Sequence, residues 1–281
     1  MIRIVTDSTS NLPGEMKDRY NIEIVPLTVH FGEESHVDYY ELECDNFYEM
    51  LKEKKEHPKT SQPSPEAFAK VYKKIIDEGD EIVSIHISSK LSGTIQSANI
   101  AAKEINPEMI TVIDSKSTCS ALAMMVIEAA KYIEAGKSKN EIIELFNKMI
   151  ASSKIYFIVD TLEYLQKGGR IGKASELMGS LLNIKPILEV KNGEVVPFEK
   201  LRGTKKVYKR MADILNEFIS GIGDDNAVYA LSAGGSDNAI DLFLANIEDN
   251  NPVRDALISP ISPVIGAHTG PGSFALSFIK F

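Results

Sequence analysis

The sequence predicts an α/β protein of two domains, the first built on a mostly parallel sheet and the second on a mixed one. Strands alternating with helical stretches through residues 2–114 carry the first half of this reading, because parallel neighbours need a crossover helix between them. A change of texture after residue 160, from alternating units to a hairpin and late strands, carries the second half. The length agrees, since 281 residues, 43% of them hydrophobic, are enough for about two ordinary cores.

Taken in order, the runs IRIV (2–5), IEIVPLTV (22–29), EIVSIHI (81–87) and MITVID (109–114) are short and rich in β-branched residues, which favours strands. Between them, SPEAFAKVYKKIIDEG (64–79) repeats its apolar residues at helical spacing, and SGTIQSANIAAKEI (92–105) is rich in helix formers. Residues 30–62 fit neither pattern and are read as a small lobe beside the first sheet. Helices are expected at 116–135 and 139–152, followed by a strand at 154–160 that closes the first domain, with the boundary near 160. Then come a short helix, the glycine-rich turn KGGRIGKA (167–174), an apolar helix at 174–184, and a strand with GEVVPFEKLR (193–202) as its hairpin partner. Helices at 204–219 and 236–247 and strands at 227–233, 255–259 and 274–280 complete the second domain.

Composition removes several function classes. The balance of 31 basic against 40 acidic residues gives a net charge of −9 with no long basic run, which offers nucleic acid little attraction. Cys44 and Cys119 are the only cysteines and stand far apart, which argues against a disulfide framework or a thiolate zinc site. His30, His36, His57, His86 and His268 show no metal-ligand spacing, so neither a metal nor a cofactor is expected. The opening MIRIVTDSTS lacks the basic and apolar segments of a leader, and nowhere do roughly 18 apolar residues run together. The expectation is a cytoplasmic protein without a transmembrane segment.

Several strands of the first domain end in hydroxyls. IRIV leads to Thr6, Asp7, Ser8, Thr9 and Ser10; VSIHI leads to Ser88, Ser89, Ser92 and Thr94; TVID leads to Ser115, Ser117 and Thr118. The carboxyl ends of parallel strands share one rim, so these turns should converge there, each opening a helix with free N–H groups. A helix N-cap accounts for one or two of the hydroxyls. In KTSQPSPE (59–66), Ser64 before Pro65 and Glu66 is an ordinary cap, which leaves Thr60 and Ser61 over. Neutral hydroxyls beside helix N-termini suit one compact anion, a carboxylate or a phosphate.

The familiar nucleotide motifs do not fit. A P-loop would need glycine at 167 and a hydroxyl at 174, where this chain has Lys167 and Ala174. GAHTGPG (266–272) spaces its glycines wrongly for a dinucleotide fingerprint. His86 lies inside an apolar strand and reads as a core histidine, whereas His268 lies in a glycine-rich turn that brings backbone close.

VTDSTSNLP, KTSQPSPE, ISSKLSGTIQSA, VIDSKS, YLQKGGRIGKASELMGSLLNIKPIL and GAHTGPG, in that order over nearly the whole chain, resemble the DegV family of bacterial fatty-acid-binding proteins. The resemblance implies a Rossmann-like N-terminal domain (1–160) and a smaller C-terminal two-layer α/β domain (161–281), with a long-chain fatty acid buried between them. It implies that Thr60 and Ser92 hold the carboxylate with His268 near the head group, and that Arg170 and Arg202 lie near the head group or a docking face. Ser61, Gly93 and Thr94 complete the candidate ligand-binding set as neighbours of those two hydroxyls. Some family members present the acid to a separate fatty acid kinase, so the implied role is a carrier and not an enzyme. After VIDSKS the family usually places glycines, whereas this chain has TCSALA, which bears on the tail pocket. The apolar segment 174–184, with Met178, Leu181 and Leu182, is a candidate tunnel wall, and ordinary core is the competing reading.

Two rival classes use the same residues. A serine hydrolase would take Ser92 as nucleophile, His268 as base and Asp7 or Asp114 as orienter, without a nucleophile elbow to frame the serine. A sugar-phosphate or nucleotide site would use the rim of the first sheet and Arg170.

Overall fold

The computed structural model describes residues 1–54, 56–179, 184–223, 225–236 and 238–281. The chain opens with β1 (Ile2–Asp7), a 3-10 turn at Ser8–Ser10, α1 (Gly14–Arg19), β2 (Glu23–Val25), β3 (Thr28–Phe31), β4 (Glu34–Val37), α2 (Cys44–Glu53) and β5 (Lys59–Ser61). It continues through α3 (Pro65–Asp77), β6 (Glu81–His86), α4 (Thr94–Ile105), β7 (Ile110–Asp114), α5 (Cys119–Glu134), α6 (Lys139–Ser152), β8 (Lys154–Ile158) and α7 (Glu163–Lys167). After a 3-10 turn at Gly172–Leu177 come β9 (Lys185–Lys191), β10 (Glu194–Leu201), α8 (Thr204–Ser220), β11 (Ala227–Gly234), α9 (Ala239–Leu244), β12 (Leu257–Pro260), α10 (Pro263–Thr269) and β13 (Ser273–Lys280).

The fold is α/β with three sheets. β2-β1-β6-β7 form a four-stranded sheet, parallel throughout. β10-β9-β8-β13-β11-β12 form a six-stranded mixed sheet in which only β11 and β12 run parallel. The lobe expected at 30–62 has its own antiparallel sheet, β4-β3-β5, with α2 packed beside it.

Three expectations are corrected. The run 22–29 is two strands in different sheets, because Pro26 lacks the N–H a ladder needs and restricts the residue before it. The strand at 154–160 does not close the first sheet: β8 pairs with β9 and with β13, so the chain changes sheets before Lys154 rather than near 160. Its alternation then makes sense, since Ile155 and Phe157 enter one core while Tyr156 and Ile158 enter another. The apolar helix at 174–184 is a 3-10 turn that ends at Leu177, and Met178 is extended and 39% exposed. Leu181 and Leu182 lie outside the described residues.

α5 holds the two large sheets together. Every residue from Cys119 to Ala130 is buried, as expected of a helix with protein on all sides. One continuous core joins Ile4, Val83 and Ile85 of the first sheet to α5 and on to Ile155, Phe157 and Ala275 of the second. The helix begins at 119 and not at 116 because Lys116 takes a positive φ of 49° and Thr118 is extended.

Candidate ligand site

The polar turns of the first sheet do meet at its carboxyl rim, but most of their side chains serve the fold. Asp7 is fully buried; one carboxylate oxygen accepts from Thr9, and the other accepts the Ile87 N–H at 2.9 Å and faces His86 Nδ1 at 3.0 Å. The far nitrogen of His86 lies 2.6 Å from Ser84 Oγ, to which the Tyr72 hydroxyl donates at 2.7 Å. His86 is therefore a core histidine bonded at both nitrogens. Asp114 accepts from the Ser89 hydroxyl at 2.6 Å and from the Lys116 N–H at 2.9 Å.

Ser88 joins the two domains. Its hydroxyl donates at 2.8 Å to the Gly193 carbonyl in the turn between β9 and β10. That turn carries Asn192 and Gly193 at φ 51° and 84°, the conformation a two-residue hairpin favours. A Cβ on Gly193 would fall 2.2 Å from Ser88 Oγ, so glycine is needed for the approach.

A second polar group, with residues of the small lobe and of the glycine-rich turn, gathers round His268 on the last turn of α10. Thr60 Oγ1, carried by β5, lies 2.8 Å from His268 Nε2. Gly168 packs on the other ring nitrogen so closely that a Cβ would lie 2.1 Å from Nδ1. Arg170 donates to the Gly168 carbonyl at 2.7 Å and to the Leu91 carbonyl, next to Ser92, at 3.0 Å. Ser92 Oγ lies 2.9 Å from Thr94 Oγ1 and accepts the Thr94 N–H.

Burial, and then the nearby positive charges of Arg170 and His57, lower the pKa of His268 to about 4, so its ring is neutral near pH 7. Nδ1 is buried with no hydrogen-bond partner. A bare acceptor there is cheaper than an unpaired N–H, which assigns the proton to Nε2 and makes it the donor to Thr60 Oγ1. The Thr60 hydroxyl is then free to donate its own proton to a ligand.

These residues open on a cavity between the two large sheets, a concave and mostly apolar surface with a few polar groups, as small-molecule sites are. Thr60, Ser92, Arg170 and His268 line it. Most of the remaining wall is apolar and comes from both sheets: Ile87 and Leu91 on the first side, Ile155, Phe157, Val190 and Ala275 on the second.

Four of the expected residues are therefore brought together and four are not. Ser61 is exposed and bonds His30 at 2.9 Å. Gly93 lies under the Gln62 side chain, and Thr94 is buried behind Ser92. Arg202 is exposed at the end of β10 and does not line the cavity. Sequence reading missed the wall supplied by β8 and β13; in β13 the small Ser273, Ala275 and Ser277 alternate with the large Phe274, Leu276 and Phe278, which points the two sets to opposite faces. The TCSALA departure does bear on the cavity, which Thr118 and Cys119 line.

The hydrolase geometry is not met. His268 Nε2 faces Thr60 rather than Ser92, and both candidate orienting carboxylates bond elsewhere. Among the described residues no group of three or more His, Cys, Asp or Glu side chains is placed to hold a metal, and no helix is long and apolar enough to cross a membrane.

Residues 1–280 match the family described as "Uncharacterised protein, DegV family". The chain belongs to the DegV family. Protein DegV of Bacillus subtilis is 36% identical over 276 residues, covering 98% of each chain. A DegV domain-containing protein of Streptomyces coelicolor is 38% identical over 273 residues, 96% of this chain and 95% of that one. Among solved structures, a fatty-acid-binding DegV family protein from Thermus thermophilus superposes with a TM-score of 0.91 at 35% identity, covering 100% of this chain and 99% of that one. DegV of Bacillus subtilis, described as a fatty acid binding protein, gives 0.89 at 34% identity with coverage of 100% and 99%. A stearic acid-binding protein from Eubacterium ventriosum gives 0.88 at 27% identity with coverage of 100% and 98%.

Proposed function

We propose that this DegV chain binds a long-chain fatty acid between its two sheets and presents it to a separate fatty acid kinase. The carboxylate sits at Thr60 and Ser92, with His268 orienting the Thr60 hydroxyl and Arg170 supplying positive charge beside it. The tail runs along Ile155, Phe157 and Ala275.

One observation carries the reading: a cavity between the sheets, apolar over most of its wall and polar round His268. Each buried methylene contributes about 0.8 kcal/mol, so roughly 14 of them supply about 11 kcal/mol before the cost of association. The head group adds less, but an unpaired buried carboxylate costs several kcal/mol, which explains donors where water is excluded. The kinase role rests on the family resemblance.

Native mass spectrometry of protein purified without added lipid, followed by denaturation and lipid identification, tests the first part. A long-chain acid at one per chain is expected; a nucleotide or sugar phosphate, or an empty protein that takes up no added acid, overturns it. For the second part, Arg170→Ala is expected to lower acyl phosphate formation by a fatty acid kinase more than it lowers acid binding. Equal losses in the two assays would count against a docking role for Arg170.

A further inference from the structure

We propose that Cys119 is a specificity-determining residue of the cavity, its side chain setting how long an acyl tail the cavity admits. The inference deepens the fatty-acid reading and rests on it.

Cys119 is the first residue of α5, is 2% exposed, and lines the cavity. Its φ of 54° lies in the left-handed region, where glycine is at ease and a side chain is not. A strained residue in a ligand wall persists where its surroundings over-determine it. Here they do: Asn11 Nδ2 lies 3.2 Å from Cys119 Sγ and donates at 2.9 Å to the Pro260 carbonyl at the end of β12. The sulfur is held by a residue that spans from the first sheet to the second.

Two further facts make Cys119 a stop rather than one wall residue among many. It has no hydrogen bond to Thr60, Ser92, Arg170 or His268, so it is not part of the polar end. Behind it Ser120 is buried with its hydroxyl 3.3 Å from Ser277 Oγ, and Ala121 to Val126 lie in the core shared by the two sheets, so α5 behind Cys119 is filled. Burial raises the pKa of the thiol, which leaves a neutral group in an apolar wall. Cys119 lines the cavity with filled core behind it, so the volume of its side chain is taken from the ligand.

The test is the chain-length profile of bound acids, read by competition within a homologous series of saturated fatty acids. Cys119→Gly removes the sulfur and relieves the backbone, and is expected to move the optimum to longer chains. Affinity for an acid one carbon past the wild-type optimum should rise about 4-fold, the value of one methylene. Cys119→Ser keeps the size and should keep the profile. Cys119→Met enlarges the side chain and should move the optimum to shorter chains. An unchanged optimum in Cys119→Gly, or an equal shift in Cys119→Ser, overturns the proposal. If the wild-type protein binds no member of the series, the fatty-acid reading itself has failed, and that outcome is distinguishable from both.

Discussion

Replacing Thr60 with valine keeps the shape of the side chain and removes one hydroxyl. In the free protein the change leaves His268 Nε2–H without the partner it has at 2.8 Å, and in the loaded protein it removes a donor from the ligand carboxylate. A hydrogen bond to a charged group is worth about 1.5–3 kcal/mol, which corresponds to a loss of roughly 10- to 150-fold in affinity. Thr60 is half-buried on an edge strand of the small lobe, so the fold should survive. Calorimetric titration with a long-chain acid and with the alcohol of the same length separates head group from tail. Thr60→Val should lose affinity for the acid and little for the alcohol. Unchanged affinity for the acid, or equal losses for acid and alcohol, would refute the assignment of Thr60 to the carboxylate.

Two other perturbations probe the frame of the site. Asp38 is fully buried, desolvation raises its pKa from 3.8 to about 7, and neither carboxylate oxygen has a hydrogen-bond partner although Ser8 and the Tyr39 and Val264 N–H groups lie close. The folded state keeps a proton that the unfolded chain releases, so Asp38 lowers stability progressively from pH 3.8 to about 7 and by its full amount above that. That amount is on the order of 4 kcal/mol. Asp38→Asn should be the more stable protein in urea at pH 8, and equal midpoints there would sink the reasoning. His268 acts in the opposite sense, its stabilising effect falling away as pH drops from 6.5 to about 4, so the variant and not the wild-type profile isolates Asp38. Gly168→Ala would place a Cβ 2.1 Å from His268 Nδ1, and the displacement of the ring should lower stability by about 1–3 kcal/mol and weaken acid binding. A variant with the parent's melting temperature and affinity would show that the ring is not held there.

Local pattern made the first sheet legible, because β1, β6 and β7 are short apolar runs separated by helices whose spacing is unmistakable. It failed at β8, whose partners are β9 and the last strand of the chain; nothing within the run says which sheet claims it. The candidate site shows the same division. The meeting of Thr60 with His268 across 208 residues follows from no periodicity and came only through the family resemblance. Hydroxyl counting overestimated the ligand site, since Ser88 and Ser89 bond Gly193 and Asp114, and composition cannot separate a serine that fastens a turn from one that faces a cavity. Arg202 shows a related limit: a basic residue at a strand end does not tell the cavity from the exposed surface, and this one is on the surface.

The helix shared by the two large sheets also limits how anything gets in or out. Because α5 is packed on both sides, the halves cannot part like jaws without stripping cover from the residues between Cys119 and Ala130. The small lobe shares its core with α10 through Val264 and Ala267, and it carries Thr60. How the lobe seats on α10 therefore sets the distance from Thr60 to His268, and a shift at that contact would be felt first at the polar end of the cavity.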